Sequence, residues 1–147
     1  MQVLDGLVDF GVFELITMTN TWSYDQAGID RGTAWRAPAY DDSAWPLGAA
    51  LFGVDDSVPF PYPLPVATPL TRPDQGGPIT TYYRTRFPFT NATSGVMLYS
   101  ESYVDDGAVY YLNGAQVGRV RMVASATYTR APGRTPAGGV TKADEGM

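Results

Sequence analysis

Residues 104–120 read VDDGAVYYLNGAQVGRV. Two strand-like runs, AVYYLN and AQVGRV, meet at Asn113-Gly114. A two-residue connection of this type is among the strongest hairpin signals, because both central positions of a type I′ turn need positive φ. The stretch predicts two antiparallel strands joined at Asn113 and Gly114. The acids that open it pose the functional question. Asp-Asp-Gly turns a chain readily by bonding its own backbone, with Gly107 supplying positive φ. Asp105 and Asp106 are also the residue type of a calcium site or an acid/base pair.

Outward from the hairpin, VMLYSESY (96–103) predicts the preceding strand, and MVASATYT (122–129) contains a following one. ITTYYRTRFPF (79–89) alternates Tyr83, Thr85, Phe87 and Phe89 against Tyr82, Arg84 and Arg86, which predicts a strand with one buried and one wet face. GAALFGV (48–54) is apolar enough for a buried strand. LVDFGVFELITM (7–18) predicts the first strand, with Gly11 as a bulge, continuing toward TWSY at 21–24. Between these lie a polar loop, 25–47, and a Pro-rich excursion, 55–78. Interleaved Phe60, Tyr62, Leu64 and Val66 favour an extended loop packed on a surface over a linker. Asp41 or Asp42 is placed to cap one helical turn at 40–45. The tail APGRTPAGGVTKADEGM has little to bury.

The composition agrees. Ten Tyr, six Phe and three Trp accompany sixteen Gly and twelve Pro in 147 residues, a supply that favours strands and punctuates helices. That length fits one domain with a core of its own. With neither Cys nor His, the chain has no disulfide, thiolate or His-dependent triad, and lacks the usual zinc ligands. The net charge of −5 repels phosphate backbones and anionic membranes, and the nine Arg form no basic stripe. No apolar run reaches the roughly 20 residues of a membrane helix. MQVLDGLVDFG carries acids where a signal peptide carries Lys or Arg, so a start at Met1 leads to the expectation of a protein made in a cytoplasm.

Calcium takes six to eight oxygens, so Asp105 and Asp106 need further ligands, for which Asp25, Asp30 and Asp41 are available. A glycosidase needs two carboxyls facing across a substrate. The chain has only three Glu, and adjacent Asp pairs point opposite ways on extended backbone. Ser43 has no activating base nearby in sequence and reads as a cap. Exposed aromatics stack on sugars, which makes Tyr24, Trp35, Tyr40, Trp45, Phe60 and Tyr62 candidates for a platform; the competing role is to pin long loops to a sheet. Asn91-Ala92-Thr93 fits a glycosylation sequon, a triplet that also arises by chance.

Three blocks in order, TWSYDQAGIDRGTAWRAPAYDDSAWPLGAALFG, TYYRTRF and VDDGAVYYLNGAQVGRVRM, resemble the galactose-binding-like jelly-roll module of secreted bacterial enzymes and surface proteins, over roughly residues 21–130. The resemblance implies packing or anchoring roles for Trp22, Trp35 and Trp45, and a chain reversal at Asp105-Asp106-Gly107. The last block alone also resembles PA14-type domains, some of which bind sugar through calcium held by an Asp pair. Members of the first family usually continue past the position of Ala143-Asp144-Glu145 into closing strands, which leaves a sheet edge here for residues 1–18, or a neighbouring subunit, to cover.

The expectation is an all-β, jelly-roll-type sandwich with a long Pro-rich loop and its closing strands missing: an N-terminal strand or arm at 1–20, the sandwich at 21–130 and a tail at 131–147. The expected function is non-enzymatic assembly or attachment, in a virion as a capsid decoration or tail protein made in the host cytoplasm. Its partners would be proteins or copies of itself, without nucleic acid, membrane or an obligatory cofactor. The alternative is a secreted carbohydrate-binding module using Trp35, Tyr40, Trp45, Asp105 and Asp106, with calcium at Asp105 and Asp106.

Overall fold

The computed structural model describes residues 12–54, 65–90, 94, 96–124 and 128, and residues 141–146 as backbone. Strands and two single-turn 3-10 helices make up its regular structure, with no α-helix among the described residues, so the chain is all-β.

Thr21–Asp25 forms β1, the centre of an antiparallel sheet between β2 (Leu47–Ala49) and β5 (Tyr82–Arg84). Ser23 lies opposite Arg84, Tyr24 opposite Tyr83 and Asp25 opposite Tyr82. Successive side chains alternate sides, so Ser23, Asp25, Tyr82 and Arg84 share one face, and Trp22, Tyr24 and Tyr83 the other. On the second face the rings of Tyr24 and Tyr83 stand 5.4 and 4.8 Å from Phe52. Phe52 belongs to β3 (Phe52–Gly53), which pairs in parallel with β4 (Thr68–Pro69). Gly48 permits this approach: a Cβ there would lie 2.6 Å from Thr68 Oγ1 and 2.9 Å from Phe52 Cε1.

Two further ribbons carry the rest. β6 (Tyr99–Val104) pairs antiparallel with β9 (Thr141–Gly146), and β7 (Ala108–Leu112) with β8 (Ala115–Val120). The β7–β8 turn has φ +50° at Asn113 and +90° at Gly114, the positive values that the Asn-Gly pair supplies. Tyr110 pairs with Gly118 and Tyr111 with Gln116, so the register shift leaves Val117 as a bulge on β8, and the hydroxyls of Ser102 and Tyr110, 2.7 Å apart, tie β6 to β7.

Several expectations are corrected. Residues 12–18 of the expected first strand are not a strand: Asn20 Oδ1 accepts the Thr17 N–H at 3.0 Å, and Asn20 N–H bonds Thr17 O, closing a turn that breaks extension before β1. Residues 7–11 lie outside the described residues. The run at 48–54 splits into β2 and β3 in different sheets, and Leu47 at the start of β2 is 71% exposed. Of the Pro-rich excursion, 55–64 lies outside the described residues, while the remainder supplies β4 and a 3-10 turn at Pro73–Gln75. Residues 40–45 make a turn rather than a helix, with Asp41 Oδ1 accepting the Ser43 N–H at 3.0 Å; the helical turn falls at Ala34–Arg36 instead. Residues 122–124 and 128 are not in a strand, the rest of 125–129 lying outside the described residues. The segment read as tail contributes β9, so β6 has its partner from the chain's own C-terminal region.

Candidate functional site

The expected wet face of β5 is covered, and the covering loop builds the most organised polar structure among the described residues. Loop 26–46 folds back over Tyr82, Arg84 and Arg86. Trp45 and Tyr82 are both 8% exposed, and the rings of Trp35 and Tyr82 meet edge-on at 5.0 Å. Tyr40 packs edge-on against Trp45 at 5.7 Å, and Trp35 reaches Tyr111 of β7 at 5.4 Å. Edge-to-face pairs of this kind add about 0.5–1.5 kcal/mol each beyond area burial. Three guanidinium groups stack on the same rings: Arg31 over Trp45, Arg84 over Tyr40 and Arg36 over Tyr111.

Asp42 is the hub. Its Oδ2 accepts the Ser23 hydroxyl at 2.7 Å and its Oδ1 accepts Arg86 Nη2 at 2.6 Å. Arg84 Nε lies 3.4 Å from Oδ2, an ion-pair separation without hydrogen-bond alignment. Arg84 donates through Nη1 to the Trp35 carbonyl and through Nη2 to Ala37 O at 3.1 Å, and Arg86 donates to Tyr40 O at 2.9 Å. Arg84 at the end of β5 and Arg86 two residues beyond it thus hold the loop backbone, with one carboxylate balancing them. Burial alone would push the Asp42 carboxyl up; the bonds from Arg86 and Ser23 outweigh it and bring it down to about 2. A carboxyl so low is ionised at neutral pH and cannot donate a proton there.

Asp25, also buried, accepts Arg31 Nε at 2.6 Å and the Ala27 N–H at 2.8 Å. Beside it lies a cleft of about 560 Å³ bordered by Asp25, Arg31, Tyr40, Asp41 and Trp45. That volume is in the range of small-molecule sites, but the ring a sugar would stack on is already occupied: Arg31 Cζ stands 5.8 Å from the Trp45 centroid, with Tyr40 and Tyr82 against the same ring. Trp35, Tyr40 and Trp45 are therefore brought together, as anchors of loop 26–46 within one cluster. Tyr24 packs on the opposite sheet face; Phe60 and Tyr62 lie outside the described residues.

Asp105 and Asp106 stand at the bend between β6 and β7, where the Asp105 carbonyl accepts Arg121 Nη1. Partial burial, and then the charge of Asp105, push the Asp106 carboxyl up. The three acids considered as additional calcium ligands are engaged in their own loops: Asp25 with Arg31, Asp30 with the Gly32 N–H at 2.8 Å and Asp41 with Ser43. Among the described residues no group of three or more acids is placed to hold a metal ion. Asp105→Asn is expected to change stability by about 1 kcal/mol or less, the scale of one side-chain bond, with EDTA leaving the melting temperature unmoved. A calcium-dependent rise in melting temperature that this substitution abolishes would overturn the turn assignment.

Sequence reasoning missed the Ser23–Asp42–Arg84–Arg86 network. Its signal was present as two arginines two residues apart on one face of the strand expected at 79–89, of which Tyr82–Arg84 forms β5, with an acid pair in the loop before it. Comparison with protein-family models, curated proteins and solved structures returns no match.

Proposed function

We propose that this chain is a non-enzymatic assembly or attachment subunit, with its strands arranged as a jelly-roll-type sandwich. The observation that carries the reading is the apolar surface exposed among the described residues. Among the described residues Trp45 and Tyr82 are the buried hydrophobics, while Phe13 is 70%, Leu47 71%, Met97 64% and Tyr99 66% exposed. Among the described residues β3–β4, β6–β9 and β7–β8 are each two-stranded, and a two-stranded ribbon is marginal in water without further strands or packing. Neighbouring subunits supply both. A virion coat or tail is the proposed setting, since repeated copies give every subunit a neighbour. Made in the host cytoplasm, the protein would act through protein contacts, without nucleic acid or membrane. No helix among the described residues is long and apolar enough to cross a membrane.

The Asp42 carboxyl, ionised at neutral pH and held by Arg86 and Ser23, supports a non-catalytic role. Native mass measurement of the full chain across a range of concentrations tests the proposal. A stoichiometric multimer, or a stable complex with proteins encoded beside it, is expected. A monomer at every concentration, with no such complex, would refute it.

A further inference from the structure

Among the described residues two steps put an Asp or Asn, whose side-chain carbonyl carbon is one methylene from the backbone, directly before a glycine nitrogen: Asp106-Gly107 and Asn113-Gly114. That spacing permits a five-membered ring to close, and the structure treats the two steps differently. A Cβ on Gly107 would lie 2.8 Å from Met122 Sδ and 3.1 Å from Val120 O, so this glycine is packed in. Around Gly114 the nearest atom to such a Cβ is the Arg36 carbonyl oxygen, at 3.8 Å, and both Asn113 and Gly114 are exposed. The Gly114 N–H donates no hydrogen bond among the described residues. Asn20, by contrast, is followed by Thr21, and its Oδ1 accepts both the N–H and the hydroxyl of Thr17, at 3.0 and 2.8 Å.

We propose that Asn113-Gly114 is a spontaneous modification site, where the hairpin tip converts through a succinimide into aspartate and isoaspartate. The Gly114 nitrogen, on losing its proton, bonds to Asn113 Cγ. The carboxamide C–N bond breaks and ammonia leaves. Water then adds to either ring carbonyl and opens the ring, so one water is consumed, one ammonia is released and nothing is oxidised. Either product adds a negative charge at the hairpin tip. Isoaspartate also inserts a methylene into the backbone of a turn that relies on φ +50° at residue 113 and on the Leu112–Ala115 pair. The tip lies beside the loop in which Arg36 stacks 4.2 Å from the Tyr111 ring. Conversion would therefore loosen the hairpin where it meets the aromatic cluster, at a rate set by age and pH.

The test is peptide mapping by mass spectrometry of the folded chain held in mildly alkaline buffer, with isoaspartate assayed separately. Conversion at Asn113 is expected to run on the order of ten-fold faster than at Asn20 or Asp106, since only Gly114 combines the lack of a side chain with open space. Asn113→Gly should remove the signal while remaining compatible with a type I′ turn. A synthetic peptide of residues 108–120 serves as the unfolded reference. If the peptide converts while the folded chain does not, or if Asp106 reacts as fast as Asn113, the proposal is wrong.

Discussion

Trp45→Ala lowers the unfolding free energy by about 3 kcal/mol or more, the cost expected for truncating a buried aromatic. The ring is 8% exposed and contacts Tyr40, Tyr82 and the Arg31 guanidinium, so its loss opens a cavity and releases loop 26–46 together. Denaturant unfolding followed by tyrosine fluorescence and far-ultraviolet circular dichroism measures the change. A loss under about 1 kcal/mol would mean that the loop can leave without cost to the sheet, contrary to the anchoring role that buried aromatics ordinarily play. Trp35→Ala separates anchoring from sugar recognition. As an anchor it destabilises the fold, and the wild-type chain shows no saturable binding to a glycan array. Glycan binding lost in Trp35→Ala with unchanged stability would establish the carbohydrate-binding alternative.

Removing the Asp42 carboxylate has the other large effect. Asp42→Ala strands Arg84, whose side chain is 9% exposed, with no carboxylate to balance it, and breaking a buried pair from one side costs about 3–5 kcal/mol. The same group gives the fold an acid limb. Its folded pKa, about 2, lies below the ordinary value of 3.8. The ionised form is thus favoured by folding, and the contribution is fully present above pH 3.8 and lost as pH falls toward 2. It amounts to roughly 2 kcal/mol. Urea midpoints measured from pH 5 downward should fall across this window in the wild type and much less in Asp42→Asn. A wild-type midpoint that stays level between pH 4 and pH 2 would contradict the ion-pair geometry.

The hairpin at Asn113-Gly114 was legible from the sequence because its determinants are local: a turn needing two positive φ values, between two runs of strand formers. All-β composition was legible for a similar reason, since Gly and Pro act on the residues where they stand. Asp41 or Asp42 was read as the cap of a helical turn, but Asp41 instead accepts the Ser43 N–H within a turn. Alternation along 79–89 correctly separated Tyr83 from Tyr82 and Arg84, but periodicity assigns residues to two faces without saying what covers either. Loop 26–46 decided that, by packing Trp35, Trp45 and Asp42 over the face that carries the arginines. The first strand failed at Asn20, whose short polar side chain offers the backbone an alternative to extension.

The sequence by itself determined the strand-rich class, the hairpin turn and the absence of cysteine and histidine chemistry, because each is written in residue types or in neighbours a few positions apart. Only the tertiary structure decided that Ser23, Asp42, Arg84 and Arg86 meet, across separations of 19 and 44 residues, and that TKADEG, without apolar alternation, lies as a strand against β6. A contact between distant segments depends on which backbone reaches which. Charge or hydropathy along the chain marks a residue as able to pair, and the fold alone selects its partner.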